Sequence, residues 1–374
     1  MTYNFDYIST EFRDKLSSAL SIPRKVDKSL SYKIYKDAIV FPFYDWDHYA
    51  RVMDNEGRIV NSSKEKSEEL WQLHGVDKPK ICHKNIAYIG CLNTVFGHWF
   101  TDNLEKIWFL LDSRYSKILK EGQYELAYSS TNKSRLTDEA MSFHDLLGIN
   151  LRDAIFIDYP TQFDNVLLPD SAFLWGEVGH QYTAEMETVW AKISDVVRAM
   201  PLHVPELPTK IYFSRTRLPH SKDFGARTLD RVFRKLGYTI IYPETLPVAQ
   251  KIQLVQHCEY FASTEGSTSH LTLFCNQGTH VTIIPRVRWV NTHQLCCNEF
   301  ADLDVTYLEA DVSSHADPTH SWWGPFYFCI TPYVEKYVGH KIVHLPDSLN
   351  PDHWKYTKNF IWRIYSWLAK YIKK

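Results

Sequence analysis

Residues 260–286 read YFASTEGSTSHLTLFCNQGTHVTIIPR, and their order of residue types decides the fold. Residues 260–263 form a short, mainly apolar run. Glu265, Gly266 and Ser267 make a turn of small residues around one carboxylate. Leu271, Leu273 and Phe274 give the next segment an apolar side, Gln277-Gly278 ends it, and 280–284 is β-branched. This pattern predicts strand, turn, helix, turn, strand. A small-residue turn opening a helix leaves backbone N–H groups at the positive end of the helix dipole, which suits phosphate. Doubly wound α/β proteins have several such turns, so a purely structural Gly266 fits as well.

Moving outward, the flanks repeat the alternation. Strands are predicted at 210–214, 238–242 and 305–309, and helices at 227–236, 247–257 and 291–301. Strands alternating with helices imply a parallel sheet covered on both faces. Upstream, PLHVPELPTK carries Pro201, Pro205 and Pro208 and reads as an interdomain linker. The earlier half is less regular. It offers helices at 11–20, 63–73, 137–147 and 183–200. Strands fall at 38–44, 86–92, 124–129, 154–159 and 165–168, and a hairpin over 50–60 turns at Asn55-Glu56-Gly57. The expected organisation is one domain over 1–200, a ligand-binding domain over 201–350, and a separate helix over 351–374.

A chain of 374 residues holds two domains with cores of their own. A net charge of −2 excludes nucleic-acid binding through bulk charge. Aromatic residues make up 15%, which fits both core packing and sugar-stacking surfaces. The seven cysteines include no C-x-x-C pair, as expected in a reducing, cytosolic compartment. The opening MTYNFDYISTEFRDKL has no signal-like apolar segment, and no apolar run is long enough to cross a bilayer.

Four groups of residues are chemical candidates. GHWFTDNLEKIWFLLD, 97–112, is predicted as one helix with Phe100, Leu104, Ile107, Trp108 and Leu111 on its apolar side. His98, Asp102 and Glu105 then share a second stripe. An imidazole beside carboxylates serves as a general base, although acidic residues in a first helical turn fit equally. Arg215 and Arg217 follow a strand, where ligands bind in open α/β sheets. There they clamp a diphosphate or form surface salt bridges. His270 reaches a phosphate or a sugar hydroxyl, or is a satisfied structural histidine. Glu265 as a carboxylate suits ribose or sugar hydroxyls better than phosphate, which it repels.

Asp45-Trp46-Asp47 and Asp302-Leu303-Asp304 both spell D-x-D, a short pattern able to hold a divalent cation. P-loop, G-x-S-x-G, H-E-x-x-H and closed zinc spacings are absent. At the end, Ile361, Ile364, Tyr365, Leu368 and Ile372 share a helical face opposite Arg363, Lys370, Lys373 and Lys374. Such a basic amphipathic helix lies on an anionic membrane surface or packs on the protein.

As an ordered set, these stretches resemble glycosyltransferase family 61. GHWFTDNLEKIWFL resembles its H-W-x-x-(D/E)-x-L-x-(K/R) segment, and IYFSRTR its I-Y-x-S-R strand end. YPETLPVAQKIQLVQHCEYFASTEGSTSHLTLF resembles its P-E-x-L … G-S-x-x-H-x-x-x-F core, and the hairpin VMDNEGRIV also fits. The resemblance spans roughly 35–310. Ala249 stands where the family usually has Glu. Glu265-Gly266 stands where eukaryotic members often have His-Gly, which is nearer the bacterial capsule- and lipopolysaccharide-associated branch.

The resemblance implies a GT-B fold, two Rossmann-like domains facing across a cleft. It implies inverting transfer from a nucleotide sugar, commonly a UDP-sugar, to a glycan or lipid-linked glycan hydroxyl. No cofactor or metal is expected. On this reading Arg215, Arg217, Glu265, Gly266, Ser267 and His270 bind the donor, and His98 or Asp102 is the base. The expected location is cytoplasmic, with contact at the inner face of the plasma membrane through the last helix. A nucleotide-sugar epimerase or hydrolase, a non-catalytic carbohydrate-binding protein, and a metal-dependent GT-A enzyme using Asp45 and Asp47 are the rivals.

Overall fold

A computed structural model describes residues 1–44, 50–61, 67–131, 137–202, 207–219, 222–310, 324–344 and 349–372. The chain divides into two compact units, Arg24–Met200 and the combination of Met1–Pro23 with Pro201–Lys374. The second boundary falls at the start of the proline-rich stretch. The first departs from the sequence expectation: residues 1–23 join the later unit. Their strand β1 (Thr2–Asn4) pairs in parallel near the chain's other end, and Tyr3 stacks on Tyr307. Three residues are too few to show a hydrophobic period, so this strand was invisible in the sequence.

The Arg24–Met200 unit holds a six-stranded sheet built from β2 (Tyr32–Phe41), β3 (Arg51–Met53), β4 (Lys80–Leu92), β5 (Tyr124–Ser130), β6 (Ile155–Phe156) and β7 (Thr161–Pro169). Its order is β3-β2-β7-β4-β5-β6. β7, β4, β5 and β6 run parallel, while β2 is antiparallel to both β7 and β3. Val40, Val52, Ile86, Tyr88, Ala127, Phe163 and Val166 pack one buried cluster. The predicted hairpin turns through Gly57 at φ +81°, and the Asp54 carboxylate accepts from the N–H groups of Glu56 and Arg58. A second hairpin, β8 (Phe173–Gly176) with β9 (Gly179–Tyr182), went unpredicted. The Ala184–Arg198 helix buries Met186, Val189, Trp190, Ile193 and Val197, a regular helical stripe.

The later unit continues with β10 (Lys210–Phe213), β11 (Asp223–Phe224), β12 (Thr239–Ile241), β13 (Tyr260–Thr264), β14 (His280–Ile284), β15 (Asp304–Tyr307) and β16 (Phe326–Tyr327). Its main sheet has the order β1-β15-β14-β13-β10-β12, and every pairing in it is parallel. From β10 the chain goes outward to β12, then returns to the other side of β10 to lay down β13, β14 and β15. The strand order therefore reverses between β10 and β13. Ligands of open α/β sheets bind beyond the carboxyl ends of the strands at such a reversal. Arg215 follows β10, Glu265 and Gly266 follow β13, and Arg286 follows β14.

The protein is thus α/β with two parallel-rich sheets, consistent with two Rossmann-like domains of the GT-B type. Two expected helices are shorter than the sequence suggested. The segment after Gly266 is a six-residue 3₁₀ helix, Ser269–Phe274, with every residue buried. Residues 97–112 form 3₁₀ turns at Phe96–His98 and Asp102–Leu104, then a short α-helix at Trp108–Leu111. Among the described residues no helix is long and apolar enough to cross a membrane.

Candidate active site

The broken helix at 96–111 has a local cause. Asn103 is buried and spends its amide on Asn93: Oδ1 accepts from Asn93 N at 2.7 Å, and Nδ2 donates to Asn93 O at 3.0 Å. This ties the segment to the carboxyl end of β4, and Thr101 leaves the helical region at φ −126°, ψ −93°. Trp190 Nε1 donates to Phe100 O at 2.6 Å, which anchors the segment to the Ala184–Arg198 helix. Despite the break, His98 and Asp102 still meet. His98 Nδ1 lies 2.6 Å from Asp102 Oδ2, and Thr101 Oγ1 donates to the same oxygen at 3.0 Å. The predicted third member turns away, since Glu105 pairs with the Lys106 ammonium.

Charge sharpens this pair. Burial disfavours both ions, yet the Asp102 charge and hydrogen bond outweigh it and raise the His98 pKa. In the same way burial raises the Asp102 carboxyl, but the imidazole's charge and hydrogen bond, with Thr101, pull it down to about 2. Asp102 is therefore ionised at neutral pH. As an anion it accepts from His98 Nδ1, an arrangement that orients an imidazole for proton transfer. His180, on β9, has its own pKa lowered by burial first, opposed by the Asp102 charge.

In the later unit the strand ends converge on Asp223. Its carboxylate, with a side chain 2% exposed, is bridged by two arginines. Arg215 Nε donates to Oδ2 at 2.9 Å, and Arg286 Nη2 donates to Oδ1 at 3.4 Å. Arg215 Nη1 also reaches Thr268 Oγ1 at 3.5 Å. The loop carrying Arg215 is pinned from below, where Thr216 Oγ1 donates to Asp230 Oδ2 at 2.9 Å and Thr216 N donates to Ser214 Oγ at 3.2 Å. Arg286 is held on three sides. Its Nη1 donates to Glu265 O at 3.3 Å, its guanidinium lies 4.1 Å from the Phe326 ring centroid, and Gly266 lies against it. A Cβ at Gly266 would stand 2.8 Å from Arg286 Nη1, and φ there is +121°. Glycine at 266 thus gives the arginine room, a reason beyond the turn itself.

The helix expected to open after Gly266 with anion-facing N–H groups is a 3₁₀ segment instead. The Gly266 N–H donates to Ser269 Oγ at 3.1 Å, and the 3₁₀ segment behind it is too short for a sizeable dipole. The guanidiniums of Arg215 and Arg286 stand at the same edge, paired on Asp223. Ser267 is partly exposed at the same turn. His270 is buried, with Nε2 3.2 Å from Asn291 Nδ2 and its ring stacked on His293 at 4.2 Å. Arg217 does not join the Asp223 cluster. It is exposed and lies 3.8 Å from the Tyr242 ring centroid at the end of β12.

Glu265 is 1% exposed, and burial pushes its carboxyl up to about 8 against the pull of Arg286. Below that pH it is neutral, so the repulsion expected between a carboxylate and phosphate is absent. The same shift has a stability consequence. The folded chain keeps a proton that the unfolded chain releases near 4.5, so stability falls as pH rises from there and levels off above about 8. The full loss is on the order of a few kcal/mol. Glu265→Gln is expected to melt with the wild type near the lower bound and several degrees above it at alkaline pH. Parallel melting curves at every pH would remove this account.

Asp45 and Asp47 lie outside the described residues. Asp302 pairs with the Met1 amino group and Gln277, while Asp304 pairs with Thr2 and with His280 Nδ1 at 2.7 Å. Both carboxylates of that second D-x-D are engaged within the fold. Sequence reading missed Asp223 and Arg286. Arg286 had a signal, since it closes the IIPR strand end just as Arg215 closes IYFSR. Asp223, in HSKDFGAR, had none, because one acid among basic residues on a loop carries no period.

The family model described as Glycosyltransferase 61 matches residues 96–282, half of the chain. The match opens two residues before His98, takes in Arg215, Asp223, Gly266 and His270, and stops four residues short of Arg286. No curated protein matches the chain.

Proposed function

The chain belongs to glycosyltransferase family 61 and is a glycosyltransferase, and we propose that it transfers a sugar from a UDP-sugar, with inversion, to a hydroxyl of a glycan acceptor in surface-polysaccharide synthesis. The observation carrying the donor half of this reading is the pair of arginines on one buried carboxylate at the strand-order reversal. Two planar guanidiniums at fixed spacing match the oxygens of a diphosphate and stabilise its charge as it departs.

In this reading Asp102-oriented His98 is the base. Its Nε2 takes the proton of the acceptor hydroxyl, whose oxygen bonds to the anomeric carbon from the face opposite the leaving diphosphate. The bond from that carbon to the phosphate oxygen breaks with its electron pair passing to the diphosphate. One displacement inverts the anomeric centre. The pathway rests on the Glu265-Gly266 resemblance to the bacterial branch. The compartment in this reading is the cytoplasm, in line with seven unbridged cysteines.

A thermal-shift screen over nucleoside diphosphates tests the donor, because a ligand of the folded state raises the melting temperature by mass action. UDP is expected to give the largest shift, and the product of turnover the opposite anomeric configuration to the donor by NMR. A retained configuration would exclude single displacement. The guanidinium pair supplies the leaving-group charge that a divalent cation otherwise brings. Turnover is therefore expected to survive excess EDTA, and a loss restored by magnesium or manganese would give that role to a metal.

A further inference from the structure

Among the described side chains of the Pro351–Ile372 helix, one side packs on the protein. Tyr356 stacks on Tyr327 at 5.6 Å and meets Phe224 at 6.5 Å between ring centroids. His353 sits edge-on to Tyr327 at 5.1 Å, and Asn350 Nδ2 donates to Tyr327 Oη at 3.1 Å. These groups approach β11 and β16. On another side Trp354, Ile361 and Trp362 are 63%, 62% and 67% exposed.

The helical period joins this exposed side to the rest of the sequence stripe. In sequence Ile361, Tyr365, Leu368 and Ile372 follow Trp354 at seven, eleven, fourteen and eighteen positions, all near whole turns. Ile361, the first residue of the apolar stripe that the sequence left open between core and membrane, is turned to solvent, as is Trp354. Among residues 351–374, Lys355, Lys358, Arg363, Lys370, Lys373 and Lys374 face a single acid, Asp352, which is 3.6 Å from Lys355.

We propose that the exposed side carrying Trp354, Ile361 and Trp362 is a docking surface for an anionic lipid surface, with the helix lying in the headgroup plane. Indole rings favour that boundary, where one edge is apolar and the other wet. Lysine and arginine are drawn to the negative surface, and their stems cover apolar area while the charges stay in water. Charge also selects against a second copy of the chain as the occupant, since it would set one strongly basic helix against another.

The test uses the full chain with vesicles of phosphatidylcholine alone and of phosphatidylcholine mixed with phosphatidylglycerol. Co-sedimentation is expected with the mixed vesicles only, and to weaken as salt rises. Two double variants at exposed positions separate the contributions, Ile361→Asn with Trp362→Asn, and Lys355→Glu with Lys358→Glu. Each is expected to lower vesicle partitioning about tenfold or more while leaving the melting temperature unchanged. The proposal falls if the wild type stays in the supernatant of the mixed vesicles, or if both variants sediment like it. It falls also if ultracentrifugation shows a dimer that the Ile361→Asn, Trp362→Asn variant dissociates while vesicles capture nothing, which would give the stripe to a second copy.

Discussion

Replacing His98 with alanine is expected to cut turnover by roughly 10²–10⁴-fold with little change in donor affinity, since a positioned base acts on the chemical step and not on nucleotide binding. Asp102→Asn tests the same arrangement through pH. His98 works as a base when neutral, so activity climbs as pH rises through its folded-state pKa. Burial alone would lower that pKa, but the Asp102 charge and hydrogen bond raise it above the ordinary value. The acidic limb of kcat/KM in the wild type should therefore sit above about 6.5, the usual histidine value. Removing the anion leaves burial unopposed, so the limb should move to lower pH while the plateau drops. A limb that stays in place in Asp102→Asn would show that another group titrates there, and a fully active His98→Ala would move the base elsewhere.

The second large effect belongs to Arg286. Arg286→Met removes one of two guanidiniums on Asp223 and is expected to cost about 3–4 kcal/mol of transition-state stabilisation, or roughly 10²–10³ in rate. Arg286→Lys keeps the charge but loses the planar fork and most of the stacking on Phe326, so it should recover only part of the loss. Asp223→Asn loosens both arginines together. Its effect and that of Arg286→Met should be markedly non-additive, because the second change finds the pair already misaligned. Simple additivity of the two losses would mean that Asp223 does not align Arg286. Wild-type kcat and donor KM in Arg286→Met would separate that arginine from the donor, leaving Arg215 to be tested alone.

The parts of this site legible in the sequence are those expressed as period or punctuation. Tyr260–Thr264 announced itself as an apolar run before a glycine turn, His280–Ile284 by β-branching, and Arg215 by its place after the Lys210–Phe213 strand. His98 and Asp102 were paired by an i, i+4 spacing that outlived the helix behind it, because 3₁₀ turns also keep such neighbours close. What stayed hidden depends on tertiary partners. Asn103 breaks the helix only because Asn93 stands opposite. Glu265 is neutral only because the sheet closes over it. Asp223 matters only because β10 and β14 bring two arginines to it. None of these relations has a local footprint in residue order.

One feature of the later sheet bears on how the chain is made. β1 finds its partner only at β15, where the Thr2 hydroxyl meets Asp304 across a separation of 302 residues. During synthesis β1 must therefore wait, without its mate, while the 302 residues of that separation emerge. The Arg24–Met200 unit has all its strands in hand long before that moment and can complete its sheet on the ribosome. This edge strand of the later sheet is thus translated about 300 residues ahead of the strand that seats it, and the closing of so long a loop belongs to the slow end of folding.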